Sequence, residues 1–162
     1  MKLFKFMKDA GEKLFGKGEA KAADSAPQSG AADANRMAGD AIAAYIDSLG
    51  LRAENLAVSF DAATQTVRLS GIAADQATRE KILLAAGNVN GVAQVEDHMS
   101  VVQVEPEARF HTVVRGDTLS AIARTYYGNA NKYMLIFEAN KPMLGHPDKI
   151  YPGQSLRIPE QG

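Results

Sequence analysis

The stretch Ile82-Leu83-Leu84-Ala85-Ala86-Gly87-Asn88-Val89-Asn90-Gly91-Val92 reads as the end of a helix, a bent loop and the first residue of a strand. Ala85 and Ala86 are strong helix formers. Gly87 lacks a Cβ and is placed to take a left-handed cap. Asn88 and Asn90 tolerate the same conformation, and Gly91 permits a second sharp bend. The last carbonyls of a helix have no intrahelical partner and carry the negative end of its dipole. A loop that curls straight after such an end can aim several carbonyls at one point, which makes a cage for a weakly hydrated cation. An ordinary helix-to-strand turn uses the same residues.

The flanking sequence supports the helix and the strand. Asp75 is a good N-cap for a helix over 76–86, with Glu80 and Lys81 on its polar side. Before it, Leu56–Phe60 and Thr66–Gly71 alternate as two strands of a hairpin, with Gly71 closing the second. Further back, Ile42, Tyr45, Ile46 and Leu49 fall at helical spacing, and Gly50 follows as a stop. After the loop, residues 92–104 read as one longer strand with Val95, Met99 and Val101 on one face. The order is α-β-β-α-β, helices covering one face of a small sheet.

A second unit follows a short linker around Pro106. His111–Val113 reads as a strand and Gly116 as a turn. Asp117 or Thr118 caps a helix with the apolar stripe Leu119, Ile122, Ala123 and Tyr126. Tyr133, Ile136, Phe137 and Asn140 line another helix, and Pro152-Gly153 turns into a last strand. The unit is βααβ. The fold class is therefore α+β, with two small domains over 34–105 and 109–160.

Residues 1–16 carry Leu3, Phe4, Phe6, Met7, Leu14 and Phe15 among lysines and acids. They read as a short amphipathic helix that docks on the first domain; lying on anionic lipid is the other reading. Residues 17–33 have no periodicity and no large apolar side chain, and read as a flexible linker.

Composition narrows the function. The chain has 162 residues, a formal charge of −1 and no cysteine. A near-neutral chain lacks the basic patch a nucleic-acid binder needs. Without cysteine there are no disulfides or thiolate metal sites. Lysines and acids interrupt every apolar run near the N-terminus, so a cytoplasmic monomer with no transmembrane segment is expected. His98, His111 and His146 are scattered, and no nucleophile elbow, phosphate loop or dinucleotide fingerprint is present. No enzymatic activity is expected.

The α-β-β-α-β order, with Gly71 and Gly91-Val92-(x)2-Val95-(x)-Asp97, resembles the BON domain. Phe110–Ala123, Tyr127-Gly128-Asn129, Ile136–Asn140 and Ile150–Pro159 resemble a LysM domain. Together with Leu3–Leu14, Ala139–Leu144 and Asp148–Gly153, this architecture resembles the bacterial potassium-binding (Kbp) family of cytoplasmic proteins, which become more compact on binding K⁺. That resemblance implies K⁺ held by the main-chain carbonyls of Met7, Ala10 and Glu12 from the N-terminal segment. Gly87, Val89 and Val92 of the loop would supply the rest. Neutral carbonyl dipoles can replace the hydration shell of a large cation. The LysM resemblance implies a second possibility, a chitin- or peptidoglycan-like glycan bound through N-acetylglucosamine. Gly116, Asp117, Thr118 and Leu119 would form one wall of its groove, and Lys149, Ile150, Tyr151 and Pro152 the other. A third reading is a membrane- or protein-docking adaptor built on the BON sheet and the N-terminal segment.

Overall fold

The computed structural model describes residues 2–7, 11 and 28–160, with backbone only for 28–31. A long helix α1 (Gln28–Ser48) is followed by the hairpin β2 (Glu54–Asp61) and β3 (Thr66–Asp75). Then come α2 (Gln76–Gly87), β4 (Gln94–Asp97) and β5 (Ser100–Gln103). Asp75 caps α2 as expected, its carboxylate accepting from the Thr78 N–H at 2.8 Å. The parallel pairing of β3 with β4 requires a crossover, which α2 supplies.

Several expectations are corrected here. Residues 2–5 are not the start of a helix: β1 (Lys2–Lys5) pairs antiparallel with β4, Lys2 opposite Asp97 and Lys5 opposite Gln94. Alternation explains this, because Phe4 and Phe6 lie two apart and share the inward face of a strand. Residues 8–10 and 12–16 lie outside the described residues. The expected linker ends earlier than 33, since α1 already begins at Gln28. Its alanine-rich start has no apolar stripe to reveal it. β3 does not stop at Gly71 but runs through it to Asp75. There φ is +138°, and a Cβ would come within 3.0 Å of the Glu54 carbonyl, beside a register shift in β2. The expected single strand over 92–104 is divided at His98-Met99 into β4 and β5, both parallel to β3.

The first core is closed by Ile42 and Ile46 of α1, Val67 and Leu69 of β3, Ile82 of α2, and Val89, Val92 and Val95 beyond it. All of these are fully buried.

The second unit contains β6 (Arg109–Thr112), α3 (Leu119–Tyr127), a 3₁₀ turn (Ala130–Lys132), α4 (Tyr133–Ala139) and β7 (Ser155–Ile158). β6 and β7 pair antiparallel over a core that includes Leu119, Ile122, Ile136 and Leu156. Thr118 is the N-cap of α3, accepting from the Ala121 N–H at 3.1 Å. Asn140 is buried at the end of α4 and stitches it to β7. It donates to the Ile136 and Arg157 carbonyls and accepts from the Arg157 N–H. Among the described residues, no helix is long and apolar enough to cross a membrane.

Candidate functional site

The loop after α2 receives the N-terminal segment. β1 lies along β4, and the Phe6 N–H continues that ladder to the Ala93 carbonyl at 2.9 Å. This sets the Phe6 ring directly on Gly87. A Cβ at Gly87 would fall 2.1 Å from the ring. Gly87 is thus glycine for a reason other than the one expected. It is the last residue of α2, without a positive φ, and the cap position passes to Asn88 at φ −84°. Gly91 does take the left-handed region, at φ +101°.

Gly11 makes the second approach. Its φ is +105°, and a Cβ there would stand 2.0 Å from the Asn88 carbonyl oxygen. Backbone therefore meets backbone where the N-terminal segment crosses the loop. Any side chain at position 11 would push them apart.

Of the six residues in the expected carbonyl set, four are described. Met7 follows β1 with its side chain exposed. Gly87, Val89 and Val92 are buried, and the Val92 N–H donates to the Val89 carbonyl at 3.1 Å. Carbonyl oxygens have two lone pairs, so this turn bond leaves Val89 acceptor capacity. Ala10 and Glu12 lie outside the described residues, but Gly11 between them is in place against Asn88. The donor chemistry fits a large monovalent cation: buried main chain, a helix C-terminus, and glycines wherever two backbones touch. Among the described residues, no group of three or more His, Asp or Glu side chains gathers as a hard divalent ion would need.

The candidate glycan residues occupy two loops that leave the same end of the β6–β7 ribbon, except Leu119, which opens α3. Val113 and Gln154 extend the ladder there, with the Val113 N–H donating to the Gln154 carbonyl at 2.8 Å. Gly116 is exposed at φ +92°. The Asp117 carboxylate accepts from the Val114 N–H at 3.0 Å and meets His111 Nε2 at 2.9 Å. These contacts hold it below the usual carboxylate range, the Val114 N–H contributing most and His111 next. Leu119 is core, and Ile150 packs against the same core. Across a cavity of about 180 Å³, Lys149 and Tyr151 face Tyr45 of α1.

The domains also meet through residues that periodicity and spacing left unmarked. Glu80, expected on the polar side of α2, is buried and bridges to Arg157 of β7 at 2.9 Å. Its other oxygen accepts from the Ala108 N–H at 3.0 Å. Phe4 meets Phe110 edge-on at 5.3 Å. The alternation Phe4-x-Phe6 was the available signal for the strand; nothing local signals Glu80 or Asn88.

This is a two-module architecture, and a family model matches each module. The BON domain model matches residues 35–103, and the LysM domain model matches residues 111–159. Across 161 residues the chain is 42% identical to "Potassium binding protein Kbp" of Escherichia coli O6:H1, covering 99% of this chain and 100% of that protein. It is 49% identical over 49 residues to an "Uncharacterized protein" of Deinococcus radiodurans, covering 30% of this chain and 19% of that one. The chain belongs to the Kbp family of BON–LysM proteins.

Proposed function

We propose that the chain is a cytoplasmic, monomeric K⁺ sensor or buffer with no catalytic role. The ion is held by the main-chain carbonyls of Met7, Ala10, Glu12, Gly87, Val89 and Val92. The observation that carries this reading is the close approach of Gly11 to the Asn88 carbonyl. It brings the two carbonyl-bearing segments together with no room for a side chain. The relative's name supplies the ion; the loop chemistry explains the preference. K⁺ sheds water at low cost, and uncharged dipoles do not draw in harder cations. Binding stabilises whichever state holds the ion better, by RT ln(1 + [L]/Kd), so the compact chain gains with rising K⁺.

The test is calorimetric titration with KCl against NaCl at matched ionic strength, on protein freed of K⁺. Saturable heat for K⁺ alone is expected. No heat for either ion would sink the reading. Glycan binding by the LysM loops would then lead, a reading favoured by the paired loops at one end of the β6–β7 ribbon. Its own check is co-sedimentation with peptidoglycan or chitin.

A further inference from the structure

The loop carrying Gly87 and Val89 is also gripped from the second domain. Asn88 Nδ2 donates to the Ser155 carbonyl at 2.8 Å, and Asn88 Oδ1 accepts from the Ser155 N–H at 2.9 Å. The side-chain amide pairs with one residue of β7 much as a neighbouring strand would. The backbone of Asn88 is engaged as well. Its N–H donates to the Leu84 carbonyl at 2.9 Å, closing α2, and its carbonyl lies against Gly11. One residue therefore touches the helix end, the N-terminal segment and the LysM strand.

Asn88 also sits in the chain between two of the proposed ligands. The peptide plane before it presents the Gly87 carbonyl, and the plane after it carries the Asn88 carbonyl that meets Gly11; the Val89 carbonyl stands one plane further on. Held on Ser155, the side chain restrains φ and ψ at residue 88, and a backbone rotation there would re-aim the Gly87 and Val89 carbonyls relative to each other. We infer that Asn88 is a positioning residue, whose amide makes ion binding at the BON loop and seating of β7 depend on each other. This rests on the K⁺ reading above and adds the residue through which the second domain senses the ion. Linkage then works in both directions. If β7 raises K⁺ affinity by some factor, K⁺ raises β7 seating by the same factor. Further contacts between the domains, among them Glu80–Arg157 and Phe4–Phe110, hold the modules together without touching residue 88.

Two measurements on the full chain test this. The first is amide hydrogen exchange at Ser155, whose N–H is covered only while Asn88 holds it. KCl is expected to slow that exchange about tenfold relative to NaCl, a factor of the size two net hydrogen bonds can supply. The second is KCl titration of Asn88→Ala, expected to bind about tenfold more weakly. A purely structural role would lower the melting temperature of Asn88→Ala equally in KCl and NaCl. The coupling role shrinks the K⁺-dependent increment itself. If wild-type protein binds K⁺ but Ser155 exchange does not respond, or Asn88→Ala keeps its affinity, the coupling is overturned while the K⁺ reading stands. If wild type binds no K⁺, the K⁺ reading falls first. Should Asn88→Ala fail to fold, Asn88→Asp takes its place, since it keeps the acceptor for the Ser155 N–H and loses the donor. Because the new carboxylate itself attracts cations, the readout for Asn88→Asp is the K⁺-dependent slowing of Ser155 exchange, and an undiminished slowing overturns the proposal too.

Discussion

Two glycines mark the site, and they fail differently. At Gly87 a methyl group meets the end of the Phe6 ring, which can swing away. Gly87→Ala is expected to cost about 1–3 kcal/mol and to loosen the N-terminal segment. At Gly11 a methyl group meets backbone, in a left-handed conformation. Gly11→Ala should therefore weaken K⁺ binding more than Gly87→Ala, although it lies outside both cores. Paired KCl titrations and thermal melts of the two variants check the order. A different residue-scale effect belongs to Asp75. Its carboxylate is held below its ordinary range chiefly by Thr78, through the side-chain hydroxyl first and then the backbone N–H. A depressed folded value means the stabilisation is present above the unfolded value, about pH 4, and is lost as pH falls through the folded one. Asp75→Ala should cost about 1 kcal/mol at neutral pH and less once the carboxylate is protonated in both states. Melts across the acid range should show wild type losing more than the variant. The cap was legible in sequence because it is local: an acid directly before an apolar helical run.

At the scale of elements, β1 is the decisive piece. It covers one edge of the sheet, where the antiparallel register places Phe4 opposite Val95. Phe4 packs against the first core and also reaches Phe110 of the second domain. Phe4→Ala is thus expected to destabilise by about 3 kcal/mol, toward the low end for a half-buried phenylalanine. It should also increase hydrogen exchange in both β4 and β6, which tests whether one side chain serves two domains. The strand was hard to read from residues 1–16 because lysines interleave with apolar residues and suit either period. The partner strand, β4, lies some ninety residues away in sequence and decides the matter by offering an unpaired edge.

Across the whole molecule, the domains are joined by buried charge as well as by backbone. Glu80 and Arg157 are both nearly inaccessible, and Glu80 serves Gln76 and Ala108 besides. Removing one partner of such a pair strands the other in a dry interface. Glu80→Ala is expected to cost about 3–5 kcal/mol, and Glu80→Gln less, because a neutral amide still accepts hydrogen bonds. Denaturant unfolding of the two variants distinguishes them. The interface lies alongside α2, so the helix that ends at the candidate ion loop also carries the domain contact. The proposed ion loop and the domain contact therefore share one helix.

What the sequence by itself determined is whatever repeats at short range: the periodic stripes of α1 and α3, the β2–β3 hairpin, the cap at Asp75, a cap at Asp117 or Thr118, and the two-module order. Each depends on residues within a few positions of one another, so pattern alone reveals it. Only the tertiary structure decided that residues 2–5 are a strand, that Gly87 is helical beneath Phe6, that Glu80 is buried, and that Asn88 reaches Ser155. Each of these depends on a partner that chain folding brings from a distant position. A glycine, a glutamate or an asparagine looks the same in sequence whether it faces water or the backbone of another domain.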